Sequence, residues 1–428
     1  MLKTDSRYSR YISVLKSELV PAAGCTEPIA IAFAAAKARA VLEKLPESVE
    51  IVVSGNIIKN VKSVVVPNTG GLKGIQTAAA AGIAAGDVER ILEVIADVDD
   101  AGRARIREYL DTAKMTVRPA EGDKIFYIDL TARAGGEYSR VIISDYHTNI
   151  VCIEKNGETV YENEAVTFEG EDGIVTERDA MTIKEIIDFA DTVDLSDIGE
   201  TIRRQIAYNS AIAEEGLKNN YGANVGKALI ATFGNDVKIR AMAAPAAGSD
   251  ARMSGCELPV IIVSGSGNQG MTASLPVIEY AKEYNKTEEE LIRAVILSDL
   301  ITIHQKSWIG RLSAFCGAIS AGCGAAAGIA YLLGGDYDVI AHTLVNSLAI
   351  ISGVVCDGAK ASCAGKIAAA VNAGILGYGI YMSGSQFYAG DGIVSKGVEN
   401  TIRNVGRLGS EGMRETDREI LKIMTDEE

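Results

Sequence analysis

KIFYIDLTARA at residues 124–134, with YSRVIIS at 138–144, NIVCIEK at 149–155 and ETVYE at 158–162 close behind it, decides the first half of the fold. β-branched and aromatic residues alternate with polar ones, and EGD, GGE and NG turn signals bound the runs. Together with TVRPA at 116–120 they predict a small antiparallel sheet between about 114 and 165. Toward the N-terminus, residues 49–54 read as a strand. Residues 8–19, 28–44 (PIAIAFAAAKARAVLEK) and 71–86 read as helices, the last with side chains small enough for close packing. A further helix at 103–111 carries charges on its wet face. Toward the C-terminus the acidic stretches EGEDG and DTVDLSDIGE mark a change of composition between 166 and 200. Beyond it, 200–218, 271–284, 287–304, 311–333, 337–355 and 363–375 are Ala/Ile/Leu-rich helices punctuated by glycine, and 412–426 is an amphipathic helix with Thr416 as its N-cap. The expected class is α+β: an N-terminal α+β domain over 1–195 carrying Cys25, then a helical domain over 196–428.

A chain of 428 residues that is 47% apolar can bury a large core without disulfides or structural metal. Its formal charge of −15 and the lack of a basic cluster disfavour nucleic acid and anionic membrane surfaces, leaving a small polar substrate as the expected partner. The most apolar runs, 323–333 and 348–356, fall short of the roughly twenty residues a membrane span needs, so no membrane crossing is expected. MLKTDSRYSRY has no apolar signal core and the seven cysteines are odd in number, which points to reduced thiols and a cytoplasmic location. The three histidines, His147, His304 and His342, form no zinc motif, and neither a G-x-S-x-G nor a Walker A sequence occurs.

The remaining chemistry lies in cysteines and one glycine-rich loop. Cys356 and Cys363 stand seven residues apart in CDGAKASC, with Cys316 forty residues upstream. This spacing departs from the C-x2-C of zinc ribbons and suits a cubane cluster with one iron free of protein ligands, but it serves buried core cysteines equally well. SGSGNQG at 264–270 follows the apolar PVIIV and precedes a helix, so its amides, with Asn268 and Gln269, can meet an anion or can form a plain strand-to-helix turn. Arg252 in SDARMSG is suited to a substrate carboxylate or to a surface ion pair. Cys25 in GCTEP precedes a helix with Thr26 as expected N-cap and Glu27 in its first turn. A helix end alone lowers a thiol by well under one pH unit. Cys152, Cys256 and Cys323 read as structural.

GCTEP, HTNI at 147–150, SDARM, SGSGNQG, LSAFC and CDGAKASC together resemble the L-cysteine desulfidase family, related to the iron–sulfur L-serine dehydratases, nearly from end to end. The resemblance implies a [4Fe-4S] cluster on Cys316, Cys356 and Cys363 and an active-site Cys25 acting as general acid or base. Arg252, Asn268, Gln269, His147 and Asn149 then face the substrate. The dehydratases carry a histidine in the region of Cys25 and space their cluster cysteines differently, which favours the desulfidase. The expected reaction is β-elimination from L-cysteine to pyruvate, ammonia and sulfide. The same chemistry on L-serine is the nearest rival. A pyridoxal-phosphate lyase using Lys360 or Lys366, and a non-catalytic iron–sulfur or zinc protein, are others. Glu27, Lys360 and His147 are secondary proton-transfer candidates, and homo-oligomerisation stays open.

Overall fold

The structure, a computed structural model, describes residues 1–121, 124–145, 147–163, 181–310 and 313–425. The chain begins with α1 (Ser6–Glu18), β1 (Pro21–Ala23), α2 (Thr26–Leu42), β2 (Ser48–Val53), α3 (Gly55–Val61), α4 (Ile75–Ala85) and α5 (Asp100–Thr112). It continues through β3 (Lys114–Pro119), β4 (Tyr127–Ala134), β5 (Glu137–Ser144), β6 (Ile150–Lys155) and β7 (Glu158–Glu162). Next come α6 (Ile183–Thr192), α7 (Leu195–Lys218), α8 (Val225–Phe233), α9 (Val237–Met253), β8 (Pro259–Ile261), α10 (Gly267–Glu283) and α11 (Glu288–Ile309). α12 (Gly317–Leu332), α13 (Tyr337–Ile351), α14 (Cys363–Met382), α15 (Val398–Arg407) and α16 (Arg414–Thr425) complete it. The expected α+β class is what the chain adopts. The acidic EGEDG stretch lies outside the described residues.

The sheet has six strands in the order β3-β2-β4-β5-β6-β7. All neighbours are antiparallel except β2 and β3, which run parallel. The strand expected near 49–54 is therefore an interior member of this sheet, and the sheet is mixed rather than purely antiparallel. The helical connection through α3, α4 and α5 is long enough for the crossover a parallel pair requires. The alternation in KIFYIDLTARA sends Ile128, Leu130, Ala132 and Ala134 into the core. Asp129 faces the other way, where it takes a two-pronged ion pair from Arg140 at 2.8 and 2.7 Å.

On the core face lies α2, almost wholly buried between β4, β5 and α4. Its contact with α4 is as close as the small side chains suggest: a Cβ on Gly82 would stand 2.0 Å from the Ala32 carbonyl oxygen. In the helical half α12 is central, packed by α10, α11, α13 and α14. α1 also belongs to this core, where Tyr11 stacks on Phe189 at 4.9 Å.

Several helix ends differ from expectation. α2 starts at Thr26 with Cys25 as its N-cap, so Thr26 occupies the first turn. α4 starts at Ile75 because Gly70, Gly71 and Gly74 all take positive φ. α12 starts at Gly317, α13 stops at Ile351, and Thr416 lies inside α16. α14 extends to Met382, seven residues beyond expectation, and is the one helix among the described residues long and apolar enough to cross a membrane. Part of it, 44%, is buried here against α9, α12 and α13.

Candidate functional site

β1 and β8 pair antiparallel, Pro21 opposite Ile261, and each leads straight into a helix, β1 into α2 and β8 into α10. The pair thereby brings two helix N-termini together. α12 and α14 add theirs, so that Cys25, Ser266, Cys316 and Cys363 sit at or next to four helix starts around one cavity of about 130 Å³. None of these four helices has a side-chain cap hydrogen bond. Their first-turn amides and dipoles therefore give the cavity a preference for negative charge.

Between β8 and α10 the chain turns at Ser264 and Gly265, both with positive φ, and Val263 and Ser266 exchange backbone hydrogen bonds across the turn. A serine held left-handed is locally strained. Gly270 then packs directly against β8, where a Cβ would meet the Ile261 oxygen at 2.0 Å. Gln269 is buried with its Oε1 unpartnered among the described residues, beside Gly317 at the start of α12.

Arg252, 4% exposed, reaches into the same region from α9. It donates from Nη2 to the Gly24 carbonyl at 2.8 Å and from Nη1 to Asn268 Oδ1 at 3.2 Å, while its Nε is buried without a partner among the described residues. Asp250, two residues before it, accepts from the Gly226 amide and ties α9 to α8. SDARM thus contains one residue for the scaffold and one for the cavity.

The Cys25 thiol donates to Glu27 Oε2 at 3.1 Å, and Asn60 Nδ2 donates to Glu27 Oε1 at 3.2 Å. Burial pushes the thiol's pKa well up, the neighbouring Glu27 adds to this, and Arg252 opposes it. Cys25 is thus a protonated thiol at neutral pH, as a helix end alone would also leave it, with burial raising its pKa where the helix end would lower it slightly.

Cys316 and Cys356 lie on two extended segments joined by a bridge between Phe315 and Val355, with the Cys316 amide bonded to the Val354 oxygen at 3.1 Å and the Cys356 amide to that of Ala314 at 2.6 Å. Cys363 opens α14, its thiol 3.5 Å from the Gly358 oxygen. Burial pushes the Cys316 thiol up to about 12, helped by Cys356, and burial likewise raises Cys363. All seven cysteines are free. Cys323 is fully buried within α12, as a core residue.

The cavity thus gathers Cys25, Arg252, Asn268, Gln269, Cys316, Cys356 and Cys363. His147 and Asn149 are not among its lining residues. His147 packs edge-on against Phe126 at 4.7 Å, and Asn149 holds the Ser144 carbonyl at 2.9 Å, both at the β5–β6 end of the sheet. Lys360 and Lys366, the lysines a Schiff base would need, do not line the cavity either, and both are ion-paired to Asp357. Three polar side chains in the lining escaped the sequence reading: Lys59, Asn60 and Lys306. Lys306 is 5% exposed, its ammonium lacks a hydrogen-bond or ion-pair partner among the described residues, and burial lowers its pKa to about 8. The available signal was a lone lysine in ITIHQKSWI, at the end of the stretch 294–306 that is buried on every side.

Comparison with known proteins places the site in a family. Residues 90–422 match the model described as the serine dehydratase alpha chain. A UPF0597 protein of Desulfitobacterium hafniense is 61% identical over 426 residues, covering 99% of this chain and 98% of the relative. Those of Lachnoclostridium phytofermentans and Treponema denticola are 50% and 44% identical, covering 97% and 98% of this chain and 99% and 98% of the relatives. The stretch matched by the family model carries Arg252, the 264–270 turn, Lys306 and the thiols of Cys316, Cys356 and Cys363, and the chain belongs to the serine dehydratase alpha-chain family.

Proposed function

We propose that the protein is an iron–sulfur-dependent lyase that eliminates the β-substituent of a small amino acid, with L-cysteine as the preferred substrate and pyruvate, ammonia and sulfide as products. The observation that carries this reading is that Cys316, Cys356 and Cys363 line the same small cavity as the Cys25–Glu27 pair and Arg252. The donor set fits a [4Fe-4S] cluster. Three thiols are present and two stand at helix N-termini that favour negative charge.

When bound, such a cluster supplies Lewis acidity toward a poor β leaving group. The chain's own groups do the rest. Arg252 and the first-turn amides of α10 hold the substrate carboxylate. Glu27 takes the Cys25 proton across their hydrogen bond, freeing the sulfur to accept the Cα proton. Asn60 keeps the Glu27 carboxylate oriented for that exchange. Departure of sulfide leaves aminoacrylate, which takes up water to give pyruvate and ammonia, so no oxidant is required.

A second reading, dehydration of L-serine by the same residues, is favoured by the name of the family. Anaerobic reconstitution with iron and sulfide, followed by sulfide release from cysteine against pyruvate release from serine, tests both. Turnover of cysteine at least tenfold faster supports the desulfidase, faster turnover of serine supports the dehydratase, and reconstituted protein inactive on both rules out the elimination.

A further inference from the structure

Among its described side chains α16 buries none completely, yet it touches the candidate site at one point. Lys59 on α3 lines the cavity with its side chain 1% exposed, and among the described residues its hydrogen-bonding partner is Asp417 of α16, at 2.5 Å. The segment around Lys59 has little freedom to adjust. Gly358, in the loop between Cys356 and Cys363, packs so tightly on it that a Cβ would stand 2.0 Å from the Lys59 carbonyl oxygen. The next residue, Asn60, orients Glu27. α16 holds α3 at two further places: Lys62 donates to the Met424 carbonyl, and Leu421 covers Gly55 with no space for a methyl group.

We infer that α16 is a brace for the proton-transfer pair, with Asp417 as a positioning residue that fixes Lys59 and so sets Asn60 against Glu27. This rests on the reading of the cavity as an elimination site. A buried ammonium deprived of its counter-ion moves toward other negative charge. Here that charge is the Glu27 carboxylate, so loss of Asp417 disturbs the site even though α16 adds little to the core.

The test compares wild type, Asp417→Asn, Asp417→Glu and Glu415→Ala in anaerobically reconstituted protein. Iron content, kcat and KM are measured, together with backbone hydrogen exchange over residues 55–61. The expected result for Asp417→Asn is full iron content, kcat reduced on the order of 10- to 100-fold with little change in KM, and faster exchange in α3. Asp417→Glu restores most of kcat, and Glu415→Ala, which alters an exposed pair on the same helix, matches wild type. Unchanged kcat in Asp417→Asn overturns the inference, whether or not α3 exchanges faster. If wild type itself turns over neither cysteine nor serine, the elimination reading fails separately; unchanged α3 exchange in Asp417→Asn then overturns the brace, and faster exchange supports it.

Discussion

In the elimination proposed above, Cys25 and Glu27 divide one task. Because burial keeps the thiol protonated, Cys25 can accept a proton only after passing its own to Glu27, so removing the carboxylate should matter as much as removing the sulfur. Glu27→Gln, which preserves shape, is expected to lower kcat by roughly 10²- to 10⁴-fold with iron content intact. A Glu27→Gln enzyme with wild-type kcat would remove Glu27 from the mechanism. Lys306 presents a different balance. Its ammonium is held on a buried side chain with no hydrogen-bond or ion-pair partner among the described residues, which is costly to stability until negative charge enters the cavity. Lys306→Met should therefore raise the Tm of metal-free protein while weakening iron retention against a chelator. A lower Tm in the metal-free variant would contradict this account. Among single residues, the cysteines, Arg252 and the amides of SGSGNQG were legible because their types and spacing are unusual. Lys59, Asn60 and Lys306 were not, since a lysine or asparagine in a helix ordinarily faces water and only the packing shows otherwise. His147 and Asn149 stood out as a motif, yet they serve the turn between two strands.

At the level of elements, two glycines separate stability from chemistry. Gly82 lets α2 lie against α4, and Gly270 lets α10 lie against β8; in both a Cβ would come to 2.0 Å from a backbone oxygen. Alanine at either position should cost about 1–3 kcal/mol through overpacking, read as a lower Tm. The two should differ in catalysis. Gly270→Ala shifts the first turn of α10, which lines the cavity, so its kcat should fall as well; Gly82→Ala should keep kcat near wild type. Equal kcat values for the two variants would show that the α10 start is not a working part of the site. Element types were easy to read because the helical half is rich in Ala, Ile and Leu and the sheet alternates cleanly. Element ends were harder. Cys25 serves as N-cap with no side-chain bond, which propensity assigns to Thr26 instead, and the partnership of β2 with β3 depends on a crossover that no local pattern announces.

Across the whole molecule, stability should depend on pH through Asp299, fully buried in α11 and receiving a hydrogen bond from Gln205 Nε2 at 3.0 Å. Burial raises its pKa from 3.8 to about 8, against the smaller pull of Gln205. The folded chain then holds a proton that the unfolded chain gives up between those values, so stability is full below about pH 4 for this group and declines as pH rises toward 8, by up to about 1.4 kcal/mol per unit. Asp299→Asn keeps the shape and removes the titration. Urea unfolding from pH 5 to 8 should show wild type weakening relative to the variant, and parallel curves would refute the assignment. Helical and mixed halves were foreseeable from composition, but their interlocking was not, because it comes from pairings between distant segments. The β1–β8 pair is the clearest of these and bears on how the protein is made. Residues 21–23 wait for 259–261 before α2 and α10 can be set side by side, the cavity is lined in full only once Cys363 is in place, and Lys59 in that lining waits for Asp417. On a ribosome, Cys25 would emerge long before its neighbours exist, and it would spend that interval as an accessible thiol. Loading of the proposed cluster would accordingly follow synthesis of the C-terminal helices, and a cell that delays assembly exposes this cysteine to oxidation before the fold can bury it.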